Sequence, residues 1–77
     1  MRILSYNIRT LGSSQKRNSL ETLVSVHKQE VLLIHKTLLK ATKAKGFLLV
    51  SFLDWSFEAI GAKGRYGGVV LGWYKSL

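Results

Sequence analysis

The chain contains no cysteine and no proline, and only four acidic residues stand against twelve lysines and arginines. Without cysteine it is neither a disulfide-stapled mini-protein nor a Cys-based zinc module. Without proline nothing in the composition marks a domain boundary, and no linker, internal repeat or low-complexity tract is found. The longest uncharged apolar stretch, residues 46–53, falls well short of the ~18–20 residues that span a bilayer. No secretory apolar segment stands near the amino terminus, and the expectation is an intracellular chain with no membrane partner. Acids are too sparse for acid–base catalysis, and no spacing makes any two of them look paired.

What is present is a basic, moderately apolar sequence. At 77 residues, 47% hydrophobic and a formal charge of +8, it is too apolar for a disordered basic tail and too short for two cores. A single domain over 1–77 is expected, with a small core that mutual repulsion among the positive charges weakens further at low salt. The opening residues carry Arg2, Arg9, Lys16, Arg17 and several serines with no acid before Glu21, a composition also found in mitochondrial presequences. Against that, Leu4, Tyr6 and Ile8 alternate with Ser5, Asn7 and Arg9, a period of two that suits a strand.

The periodicity continues as strand, helix, strand. Arg2 to Ile8 reads as the first strand, followed by a turn-rich loop at 10–14. Leu20, Leu23, Val24 and His27 fall on one face of a 3.6-residue period and predict a helix, capped by Ser13, Ser14 or Asn18, the last with Glu21 at capping-box spacing. Val31 to Ile34 is a continuous apolar run of the kind covered on both faces in a parallel sheet. The three together form a βαβ unit. Thr37 to Lys45 predicts a short helix stopped by Gly46, and Phe47 to Leu53 is either a strand or a buried helix end. Trp55–Ile60 and Gly67–Trp73 read as a β-hairpin joined by a loop of about five residues at 61–65. The fold class is therefore α/β.

No spacing here makes an enzyme. His27 and His35 lack a third ligand, and each reads as an ordinary surface or partly packed imidazole. Gly64, Gly67 and Gly68 precede a strand and not a helix N-terminus, so they are not a phosphate-cradling loop. The aromatics lie mostly in apolar strand patterns, where core packing explains them better than base stacking. The basic excess does suit backbone contacts to DNA or RNA, with Arg9, Lys16, Arg17 and Arg65 as candidates. Lys36, Lys40, Lys43 and Lys45 read equally well as a solvated, mobile connection.

The ordered segments Arg2-Ile-Leu-Ser-Tyr-Asn7-Ile-Arg9, Leu11-Gly12, Gln15-Lys16-Arg17, Leu20–Val24, Val31–Ile34, Trp55-Ser-Phe-Glu-Ala-Ile and Gly64-Arg-Tyr-Gly67-Gly68-Val-Val-Leu-Gly-Trp73 resemble the endonuclease/exonuclease/phosphatase superfamily. They are similar in particular to the N-terminal endonuclease of plant LINE-type retrotransposons. The resemblance covers nearly the whole chain, least well over 38–53. It implies part of a four-layer α/β sandwich and a magnesium-dependent phosphodiesterase, with Asn7 helping to hold the phosphate and metal site. It also implies a metal-binding acid in a Gln-Glu-Thr segment after the second core strand.

That segment reads His35-Lys36-Thr37 in this chain. An ammonium group cannot ligate a hard cation that wants oxygen ligands, so Lys36 stands in place of the metal-binding Glu and no metal or other cofactor is expected. Thr10 stands where the family usually has glycine, and Gln29-Glu30 where Pro-Asp is usual. The family's later Asp/Asn and Asp/His motifs are not found before Leu77. The expectation is a degenerate, truncated relic of a retrotransposon-type DNA endonuclease without catalytic activity. The alternative is a small basic module that binds nucleic acid, or that pairs an exposed sheet edge with a partner or a second copy.

Overall fold

The alternation of apolar and polar residues in the first segment and the unbroken apolar run of the second form two parallel strands in the computed structural model, which describes residues 2–63 and 67–76. The elements in order are β1 (Ile3–Asn7), α1 (Ser14–His27), β2 (Val31–His35), α2 (Ala41–Ser51), β3 (Trp55–Ile60) and β4 (Val69–Tyr74). They build one four-stranded mixed sheet in the order β1-β2-β4-β3. β1 and β2 are parallel, and β4 runs antiparallel to both β2 and β3. The expected βαβ unit and the antiparallel closing pair are both present, and the fold is mixed α/β.

Both helices contribute to a core on one face of the sheet. Leu20 and Val24 of α1 and Ala44 and Leu48 of α2 join Leu32, Ile34, Val70, Trp55 and Phe57 in one buried cluster. The aromatics pack there as their patterns suggest, with Phe52 and Trp55 rings 6.0 Å apart edge to face and Trp55 and Phe57 stacked at 6.2 Å. α1 starts at Ser13, whose hydroxyl accepts from the Lys16 N–H at 3.3 Å. Of the three expected caps this is the one used, and Asn18 lies inside the helix, where its carbonyl accepts from Thr22 Oγ1. α1 ends on Lys28 in the left-handed region, its N–H donating to the Val24 carbonyl.

Three expectations are corrected. Gly46 does not stop a helix at Lys45. α2 runs from Ala41 to Ser51 with Gly46 inside it, because Ala44 and Leu48 sit four apart on the buried face and their packing outweighs the ~1 kcal/mol that an interior glycine costs. Of the two readings of residues 47–53 the helix end is the one that forms, as far as Ser51, and Lys43 and Lys45 belong to that helix instead of a mobile connection. Finally, β2 is not covered on both faces. Leu32 and Ile34 are buried, while Val31, Leu33 and His35 are only half-buried.

The second face of the sheet is open, and its cross-strand register defines three rows. Ile3, Val31, Trp73 and Ser56 form the first, and Ser5, Leu33, Leu71 and Glu58 the second. Asn7, His35, Val69 and Ile60 form the third, at the end where β1 and β2 finish. Ile3 is 63% exposed, Ile60 61% and Leu71 45%. Among the described residues, no helix is long and apolar enough to cross a membrane.

Candidate functional site

In open α/β sheets ligands gather beyond the carboxyl ends of parallel strands, and here that end is built by β1, β2 and the chain leaving them. The period-two alternation puts Ile8 into the core at 2% exposure and turns Asn7 outward onto the open face. Asn7 is the register partner of His35. The pairing continues past the strands: Ile8 N–H donates to the His35 carbonyl at 3.0 Å, Thr10 N–H to the Lys36 carbonyl at 3.0 Å, and Leu11 N–H to the Thr37 carbonyl at 2.9 Å. Lys36 N–H donates to the Gly68 carbonyl at 2.8 Å. Asn7, Arg9, Thr10, His35 and Lys36 are thereby gathered on one rim.

Backbone strain is concentrated at the same place. Arg9 (φ 51°), Thr10 (φ 107°), Lys36 (φ 57°) and Leu38 (φ 57°) all occupy the positive-φ region that non-glycine residues rarely adopt, and Gly68 is at φ 89°. Such residues persist only where surrounding structure over-determines them, and they cluster at binding and active sites. What holds them is visible. Leu11 and Thr37 are completely buried beneath the rim, and the four hydrogen bonds just given lock the connecting peptides. Gly68 has to be glycine on two counts, its φ and the overlap that a Cβ would make with Thr37 Oγ1. That hydroxyl is itself buried without a hydrogen-bond partner.

The basic candidates separate into two roles. Lys36 and Arg9 are exposed on the rim, and Lys16 reaches it from the first turn of α1, its Nζ donating to the Arg9 carbonyl at 2.9 Å. Arg17 is committed elsewhere. Its guanidinium donates to the Leu11 carbonyl at 2.7 Å and lies 4.0 Å over the Phe47 ring, so it fastens α1 to α2. Arg65 lies outside the described residues. His35 received only an ordinary reading from the sequence, yet it belongs to the rim, with Nε2 3.2 Å from Ser5 Oγ. The alternation that places Ser5 and Asn7 on one strand face was the available signal, and it becomes informative only with the β1–β2 register.

A divalent cation does not fit this rim. Magnesium wants several oxygen ligands, carboxylates among them, and the side chains offered are the Asn7 amide, the Thr10 hydroxyl, the His35 imidazole and cations. Glu30 precedes β2 at the opposite end of the sheet, with the Arg2 N–H donating to its carboxylate at 3.1 Å. Asp54 precedes β3 near that same end, Glu58 is on the far edge strand paired with Leu71, and Glu21 lies in α1. Among the described residues no group of three or more His, Cys, Asp and Glu is placed to hold a metal ion. A cleft of about 490 Å³, lined by residues that include Lys28, Glu30, Trp55 and Tyr74, also lies at the end away from Asn7 and Lys36.

No protein-family model matches the chain, and no curated protein matches it. Among solved structures it is similar to the AP endonuclease LMAP from Leishmania major, with a TM-score of 0.71 and 22% sequence identity over 96% of this chain. The chain spans 24% of that protein's length. The likeness is one of fold: the βαβ unit and the antiparallel closing strands of this chain match the arrangement of part of that protein.

Proposed function

We propose that the chain is a degenerate portion of a retrotransposon-type endonuclease domain that holds nucleic-acid phosphate by charge and does not cut it. The observation that carries this reading is Lys36. It directly follows His35, the register partner of Asn7, at the sequence position where the resemblance calls for a metal-binding carboxylate, and Arg9 and Lys16 add positive charge at the same end of the sheet. An ammonium group at that place attracts a phosphate and repels the cation that would activate water or stabilise a leaving oxygen. Backbone contacts of this kind carry affinity without base-edge readout, so recognition is independent of sequence.

The test is nicking of supercoiled DNA in magnesium, run with the native chain, Asn7→Ala and Lys36→Glu. None of the three is expected to convert supercoiled to open-circular DNA. Lys36→Glu restores one carboxylate to a rim that offers no second one among the described residues. Metal-dependent cleavage that Asn7→Ala abolishes would overturn the reading.

A further inference from the structure

A single exposed leucine is an ordinary feature of a protein surface, but Leu38 carries two further marks. Its φ is 57°, in the left-handed region where glycine sits without strain and a residue with a Cβ does not. Burial commonly offsets strain of that kind, yet Leu38 is 52% exposed. The backbone around it is fixed: the Leu38 N–H donates to the Gly67 carbonyl at 2.8 Å, and Thr37 before it is completely buried. The leucine is thereby held out from the surface by a strained and well-anchored connection, as side chains displayed for binding are.

Its neighbour is Lys36, which is displayed in the same way, exposed and at φ 57°. A Cβ on Gly67 would lie 3.3 Å from Lys36 Cγ and 3.6 Å from Leu38 Cδ2, so both side chains lean over that glycine and stand side by side. A cation next to an apolar group matches the two surfaces that a duplex presents together, its phosphate backbone and the stacked faces of its bases. We propose that Leu38 is a wedge that enters a base step of duplex DNA while Lys36 holds the adjoining phosphate. The proposal rests on the phosphate-binding reading of the rim and adds a selectivity to it. Leucine is among the residues that proteins insert between base pairs to unstack them. Several rings that could stack on a base are engaged elsewhere: Phe52, Trp55 and Phe57 are buried, and Phe47 lies under the Arg17 guanidinium.

The wedge determines which duplex is held best. Insertion requires the step to unstack, which costs least where pairing is already broken. Burying the exposed half of a leucine is equivalent to about fivefold in affinity. That is too little to open a fully paired step, so the gain appears only where the step is already loose. The chain therefore favours a duplex with a mismatched pair over a fully paired one, without reading which bases are present. Lys36 contacts phosphate in either duplex and contributes to both equally.

Fluorescence anisotropy at about 0.05 M salt, with two short duplexes identical except for one central mismatch, tests this. The native chain is expected to bind the mismatched duplex about fivefold more tightly. Leu38→Ala should bind the two equally. Leu38→Gly should do the same without lowering the urea midpoint, because glycine adopts that φ freely. Loss of the wedge is thereby separated from loss of the fold. Leu38→Met should keep the preference, and Lys36→Ala should weaken both duplexes alike with their ratio unchanged. Equal binding of the two duplexes by the native chain overturns the wedge and leaves the phosphate reading standing, whereas no binding to either overturns both. A preference that survives Leu38→Ala and Leu38→Gly overturns the wedge as well. So does one that Val50→Ala, 78% exposed on α2, also abolishes.

Discussion

Thr10 is β-branched and sits at φ 107°, where its Cβ crowds the backbone and where glycine alone is at ease. Sequence resemblance placed glycine as the usual residue there. The geometry gives the reason, because the chain must turn sharply between the Ile8 anchor and the buried Leu11. The Thr10 hydroxyl recovers little, accepting one long bond from the Gly12 N–H at 3.3 Å. Thr10→Gly should therefore raise unfolding free energy by about 1–2 kcal/mol, read as an increase in urea midpoint with an unchanged slope. Lys36 is the other residue whose meaning depends on context. The substitution of a cation for a carboxylate was legible in the sequence, but its company of Arg9, Lys16 and His35 was not. Those residues reach one rim only through the parallel register and the extra hydrogen bonds beyond it. Arg17 shows the converse: a basic residue in a basic segment looks like a phosphate ligand until the Phe47 ring and the Leu11 carbonyl are seen to occupy it.

At the level of elements, local pattern was reliable wherever one period dominated. β1 and β3 alternate, α1 repeats at 3.6, and all three form where that reading puts them. α2 was misread because Gly46 is a strong local stop signal, whereas the contacts of Ala44 and Leu48 that override it are made across the molecule. A Cβ at Gly46 would meet nothing within 4 Å. Gly46→Ala should thus stabilise the chain by about 0.5–1 kcal/mol, with a matching rise in thermal midpoint. The opposite outcome is expected at Gly72 of β4, where a Cβ would overlap the Phe57 ring. Gly72→Ala should cost about 1–3 kcal/mol by overpacking the core, measured by the same denaturation. Two glycines in regular elements thus respond oppositely to one substitution, and only their surroundings distinguish them.

At the level of the whole molecule, charge and apolar surface are segregated. The strands hold no cation, the helices and connections hold the basic residues, and one face of the sheet is covered while the other is open. Composition alone registered the +8 but could not say where it lay. The strand pattern of Val31–Ile34 suggested cover on both faces, since a continuous apolar run looks alike whether its second face is buried or only half-buried. The measurement that decides the nucleic-acid role is the affinity of the native chain and of Lys36→Ala for a short DNA duplex across a salt series, followed by fluorescence anisotropy. Binding that falls linearly with the logarithm of salt, with a slope about 0.9 shallower for Lys36→Ala, is the predicted result. No binding at low salt, or a Lys36→Ala variant with unchanged affinity and slope, would contradict it.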